Sequence, residues 1–178
     1  MIFDLDGTLI DTEPAAARAI EESFKEWGLK VAGEDTAFIT GRTWQSAIDY
    51  LFKKYAVPLT QGEASRVMID RYRRELQTNL VLVPGGAAAV RALAPHFPLG
   101  LVSGSSRSEI IFALDQMGIR DQFKVIYGCE DYPMSKPAPD GFAKALGTLG
   151  VSGAETLIFE DSESGIASAR AVGRTVRT

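Results

Sequence analysis

Asp4 and Asp6 stand one residue apart at the end of the apolar run Ile2-Phe3-Asp4-Leu5-Asp6, and a Gly7-Thr8 turn follows. The side-chain period of a strand is two, so this spacing predicts both carboxylates on one face. Gly7 lets the chain break away sharply just beyond them. Two acids that close suit a divalent cation, or a nucleophile beside an acid/base. Three more polar clusters each come after an apolar stretch: Ser103-Gly104-Ser105-Ser106, Lys136 within Ser135-Lys136-Pro137, and Glu160-Asp161. Singly, each has an ordinary explanation as a turn, a helix cap or a solvated lysine. All four in this order are far harder to attribute to accident.

The elements that must position these residues follow from the apolar pattern. Residues 1–10 read as a strand and its turn. Residues 14–79 read as helices only: Ile20, Phe24 and Trp27, then Trp44, Ile48, Leu51 and Tyr55, then Met68, Tyr72 and Leu76 fall at helical spacing. Thr60-x-x-Glu63 and Ser106-x-x-Glu109 are capping-box patterns. From about residue 81 strands and helices alternate. Strands are expected at Pro98–Ser103, Lys124–Tyr127, Thr156–Phe159 and Arg174–Arg177, with helices from Ser106, over Pro139–Leu149 and over Ser162–Val172. Such alternation predicts a Rossmann-like, doubly wound parallel α/β sheet. An all-helical cap domain, 14–79, interrupts a core made of 1–13 and 80–178. In a parallel sheet the four polar clusters then gather along one edge.

The bulk properties restrict the function. The 178 residues suit one domain or a core with a small insert. A formal net charge of −4 argues against non-specific nucleic-acid binding. Cys129 is the single cysteine, so no intrachain disulfide is expected. Acids at positions 4 and 6 argue against a signal peptide, and no apolar run reaches membrane-spanning length. The expectation is a cytoplasmic monomer without nucleic-acid or membrane partners. Only three residues precede Asp4, and the chain ends at Thr178 right after the last expected strand. On that pattern a trimmed chain lacking a covering helix is expected.

The order of the motifs resembles the haloacid dehalogenase superfamily of phosphotransferases across essentially the whole chain. Asp4-Leu5-Asp6-Gly7-Thr8 is similar to its first motif, Ser103 to the second, Lys136 to the third and Glu160-Asp161 to the fourth. Lys136-Pro137-Ala138-Pro139-Asp140 and Glu160-Asp161-Ser162-x-x-Gly165 resemble the branch containing β-phosphoglucomutase, phosphoglycolate phosphatase and sugar-phosphate phosphatases. The resemblance implies a Mg²⁺-dependent phosphatase acting on a small phosphorylated metabolite. In it Asp4 is the nucleophile that forms an aspartyl-phosphate, and Asp6 is the general acid and base. Mg²⁺ is held by Asp4, the Asp6 backbone carbonyl, Asp161 and, directly or through water, Glu160. Ser103 with the backbone near Gly104 and Ser105 holds the phosphoryl oxygens, Lys136 adds positive charge, and Thr8 helps set Asp6.

Substrate choice is expected in the cap, where Arg42 is a candidate contact to the leaving group and Trp44 fits the cap core. A phosphomutase is the nearest alternative, but Thr8 stands where mutase relatives carry valine, and no histidine follows Asp11-Thr12. The only histidine, His96, reads as a surface loop residue. Dehalogenase relatives lack the second acid, present here as Asp6. A Schiff-base lysine for phosphonate chemistry has candidates in Lys25, Lys30, Lys53 and Lys54, which read better as a charged face. A silent binding protein on the same fold has no physical reason to keep adjacent buried acids.

Overall fold

The structure is a computed structural model and describes residues 1–39, 44–173 and 175–177. The chain divides into two compact units, Met1–Asp11 with Leu82–Thr178 and Thr12–Val81. The joints thus fall after Asp11 and after Val81.

The first unit is built on a five-stranded parallel sheet. Its strands are β1 (Ile2–Phe3), β4 (Leu99–Val102), β5 (Phe123–Tyr127), β6 (Leu157–Phe159) and β7 (Thr175–Arg177), in the spatial order β5-β4-β1-β6-β7. Two-residue strands β2 (Ile10–Asp11) and β3 (Val81–Leu82) pair as a separate ribbon. The strand order reverses at β1, so β1 lies at the topological switch point, where open α/β sheets bind ligands. Helices α5 (Gly86–Leu93), α6 (Arg107–Met117), α7 (Asp140–Leu149) and α8 (Glu163–Ala171) complete the unit. Ile2, Val102, Val125 and Ile158 from the strands pack with Phe142, Ala145 and Leu146 of α7 and Ala169 of α8. The α6 capping box is present, with the Ser106 hydroxyl and Glu109 carboxylate each taking up the other's backbone N–H. Helix α5 was not expected: its run Gly86-Ala87-Ala88-Ala89-Val90 has too few polar residues to show a helical period.

The second unit contains α1 (Glu13–Glu26), α2 (Gly33–Ile39), α3 (Trp44–Lys54) and α4 (Gln61–Thr78). Ile20, Phe24, Ile48, Leu51 and Met68 form its core, with Trp44, Trp27 and Tyr55 packed against them. The Thr60–Glu63 capping box opens α4, as its spacing predicts. No helix among the described residues is long and apolar enough to cross a membrane.

A buried polar group ties α2 to α3 and its following turn. The Asp35 side chain is only 1% exposed, and it accepts hydrogen bonds from Lys54 Nζ (2.5 Å), Tyr55 Oη (2.5 Å) and Tyr50 Oη (2.7 Å). The Lys54 bond first, then those of Tyr55 and Tyr50, overcome the opposing effect of burial and hold the Asp35 carboxyl at about 2. A free aspartate titrates near 3.9, so the unfolded chain takes up this proton first. Asp35 therefore stabilises the fold above about pH 4, and that contribution is lost as pH falls through about 2. Asp35→Asn should lower the thermal midpoint at pH 7 and flatten its fall between about pH 5 and 2, measured by circular dichroism.

Candidate active site

Sheet register brings the acids together. Phe3 pairs with Leu101 on one side and Phe159 on the other, so the next residues along are Asp4, Val102 and Glu160. The Asp4 N–H continues the ladder to the Phe159 carbonyl at 3.0 Å. Beyond Asp4 the chain leaves the sheet. The Leu5 carbonyl receives N–H groups from Thr8, Leu9 and Ile10, and Gly7 takes a left-handed φ of 81°. The expectation that strand alternation alone sets Asp4 and Asp6 on one face is therefore corrected. Asp6 lies in the turn, and the turn aims it. Gly7 has a second role there, because a Cβ at this position would lie 2.0 Å from Asp161 Oδ2.

Asp4 is almost fully buried, and Lys136 Nζ donates to its Oδ1 at 2.5 Å and to Glu160 Oε2 at 2.6 Å. Burial pushes the Asp4 carboxyl well above the ordinary range; Lys136 opposes that shift, while Glu160 and Asp6 add to it. Burial alone would pull the Lys136 ammonium down, but the Asp4 and Glu160 carboxylates outweigh it and hold it above the ordinary lysine value. Lys136 therefore stays cationic. Its Nζ also lies 5.1 Å from the centre of the Phe142 ring.

Glu160 is fixed from its other oxygen. Ser162 donates to Oε1 through its backbone N–H at 3.1 Å and its hydroxyl at 2.8 Å. The same Ser162 hydroxyl caps α8 by accepting the Gly165 N–H at 3.0 Å. A Cβ on Gly165 would lie 2.0 Å from the Glu160 carboxyl carbon. The sequence reading used Ser162 only as a helix start; the Glu160-Asp161-Ser162-x-x-Gly165 spacing was the available signal for this second role. Ser168 was also missed: its hydroxyl, on α8, holds the Ala138 carbonyl in the Lys136 loop at 2.7 Å.

The hydroxyls expected at a phosphoryl group instead face Asp6. Ser103 and Ser105 each donate to Asp6 Oδ2 at 2.8 Å, and the Ser105 N–H donates to Ser103 Oγ at 2.9 Å. Asp6 Oδ1 is buried with no hydrogen-bond partner among the described residues. Gly104 leaves open space on its side-chain side. Thr8 donates to Asp161 Oδ1 at 3.1 Å and so sets Asp161 directly. Burial raises the Asp161 carboxyl, and the Thr8 bond opposes that. Arg42 lies outside the described residues, and His96 is exposed in the turn before β4.

Asp4, Glu160 and Asp161 each offer a carboxylate oxygen, all within 4.8 Å of one another. An all-oxygen donor set of that span matches a hard divalent cation, whose opposed ligands at about 2.1 Å sit about 4.2 Å apart. The orphaned Asp6 Oδ1 adds an unmet polar group nearby. The residues present therefore fit a divalent cation.

A parallel α/β sheet with acids at the ends of its central strands, bridged by a partly buried lysine from a loop, defines a Rossmann-like enzyme core. The chain belongs to the haloacid dehalogenase-like hydrolase family, whose model matches residues 1–177. It is 32% identical to a phosphoglycolate phosphatase of Yersinia pseudotuberculosis, over 96% of this chain and 76% of that protein. It is 27% identical to a fructose-1-phosphate phosphatase of Escherichia coli, over 97% of this chain and 92% of that protein. A crystal structure of a "predicted phosphoglycolate phosphatase" from Haemophilus somnus superposes with a TM-score of 0.84 at 27% identity, over 98% of this chain and 82% of that one. At the level of the family the chain is a phosphatase-type hydrolase.

Lys136→Met would leave two buried carboxylates facing each other without their cation. Urea unfolding in EDTA at pH 8 should show a loss of about 3–5 kcal/mol, because the buried pair loses one partner.

Proposed function

We propose that this chain is a Mg²⁺-dependent phosphatase of small phosphorylated metabolites, of the sugar-phosphate or phosphoglycolate kind, acting through an aspartyl-phosphate on Asp4. The observation that carries this is the buried Asp4 carboxylate bonded to a cationic Lys136, with Glu160 and Asp161 oxygens within 4.8 Å. Asp4, Glu160, Asp161 and the Asp6 backbone carbonyl are the groups that would hold Mg²⁺. When bound, the ion supplies the positive charge that lets an anionic ester approach an anionic nucleophile.

The remaining steps belong to the chain's own residues. An Asp4 oxygen attacks phosphorus, and the bond to the ester oxygen breaks. Asp6 gives that oxygen its proton, so the product leaves as a neutral alcohol. Asp6 then takes a proton from water, whose oxygen attacks the same phosphorus, and phosphate leaves with Asp4 restored. Asp6 Oδ1 is the oxygen suited to carry this proton, because Oδ2 already accepts two serine hydroxyls. Lys136 neutralises Asp4 before attack and the phosphoryl oxygens during it. Ser103 and Ser105 keep Asp6 in place through its Oδ2, while Gly104 leaves the backbone of that turn open to the phosphoryl oxygens. This reading makes the protein a cytoplasmic monomer whose partner is its small substrate. Arg42 is kept in it as a contact to the leaving group.

Phosphate release from a panel including phosphoglycolate and fructose 1-phosphate tests the proposal. Release is expected with Mg²⁺, absent with EDTA, and at least about a thousandfold slower in Asp4→Asn. A folded wild type that releases phosphate from no ester would sink the hydrolase reading, and an isomerase assay with a bisphosphate primer would follow.

A further inference from the structure

The Ser103–Arg107 turn is gripped by the chain that follows β5. The Cys129 N–H donates to the Ser105 carbonyl at 3.0 Å, and Glu130 accepts the Arg107 N–H at 3.1 and 3.2 Å. Gly128 must lack a side chain for this approach, since a Cβ would lie 2.6 Å from the Arg107 nitrogen and 2.9 Å from the Ser105 oxygen. These contacts sit near the surface. One bond in the set is buried: the Tyr132 hydroxyl donates to the Ser103 carbonyl at 2.7 Å.

That bond stands where the sheet stops holding the turn. The Ser103 N–H still closes a ladder bond to the Tyr127 carbonyl at 3.1 Å, and the Ser103 carbonyl beyond it is held by Tyr132. The Tyr132 ring is 7% exposed and belongs to the core cluster with Val102 and Phe142. On one side it abuts the first turn of α7, where a Cβ on Gly141 would lie 3.0 Å from Tyr132 Cε1. Packing therefore locks the ring, and the ring delivers a hydroxyl to a single backbone oxygen. Phenylalanine would fill the same volume without burying a hydroxyl that needs a partner.

The same segment runs from Tyr132 into the loop that carries Lys136. Tyr132 thus touches neither Asp4 nor Asp6 through its hydroxyl, but it joins the two loops that do. We infer that Tyr132 is a positioning residue: its hydroxyl fixes the Ser103 carbonyl, which holds the Ser103 and Ser105 hydroxyls on Asp6 in register with Lys136 on Asp4. The activity arm of its test rests on the proposed phosphatase reaction, whereas the exchange arm does not.

The test compares Tyr132→Phe with Tyr127→Phe. Tyr127 also loses one hydroxyl bond, to Thr148 at 2.8 Å, but this bond lies near the surface and joins two side chains, touching no backbone of either loop. Each variant is assayed with Mg²⁺ on the best ester, and the Ser105 amide is followed by hydrogen exchange, because its N–H rests on Ser103 Oγ. Tyr132→Phe should lower kcat about tenfold with KM within about twofold, and speed Ser105 exchange. Tyr127→Phe should do neither. Unchanged kcat and unchanged Ser105 exchange in folded Tyr132→Phe would overturn the inference, as would equal losses in both variants. If wild type acts on no ester, the phosphatase reading fails, and Ser105 exchange decides alone. Faster exchange confined to Tyr132→Phe then supports positioning, and unchanged exchange refutes it.

Discussion

The centre of the core unit depends on one ammonium group. Lys136 sits between the Asp4 and Glu160 carboxylates, and all three side chains are nearly out of water. Two buried carboxylates in one place repel each other and lose their hydration, which makes them unstable neighbours while both are ionised. The lysine changes that balance by donating to both acids at once. It also explains why the motifs must be spread along the chain. The two acids come from adjacent strands of the sheet, whereas their cation arrives on a loop after β5.

Small features around that centre act as spacers. Gly7 and Gly165 each leave room for a carboxylate, Asp161 in one case and Glu160 in the other. Ser162 divides its attention between the Glu160 carboxylate and the α8 N-terminus, so the helix and the acid share one support. Ser168 carries that support to the Lys136 loop through the Ala138 carbonyl. Helix α8 therefore holds both the acid and the loop that brings its cation, and a shift of the helix would move the two together.

Much of this was legible in the chain because each strand ends in residues that do not belong in a strand. The apolar runs before Ser103 and Glu160, and the alternation with helices, were enough to place four clusters on one edge. The capping boxes at Thr60 and Ser106 were readable for the same reason: their partners are only three residues away. Contacts between distant segments were not readable. Nothing local tells that Ser103 and Ser105 point at Asp6, that Thr8 serves Asp161, or that Tyr132 reaches Ser103. The alternation argument for Asp4 and Asp6 misplaced the cause, since the strand ends at Phe3 and a turn does the aiming. Helix α5 was hidden because alanine fits either face and leaves no period to read.

The insertion after β1 also bears on how such a chain reaches its fold. Ile2 and Phe3 pair only with residues near 100 and near 158, while the core of the helical unit draws on residues 20 to 68. During synthesis from the N-terminus, the helical unit can close on itself while β1, with Asp4 just after it, still has no neighbouring strand. The central strand is thus made well before either of its neighbours and secured only after them. Contacts between such distant segments form slowly, because a long loop must close before they stabilise anything. Until β4 and β6 emerge, the apolar residues of β1 depend on whatever else shields them in the cell.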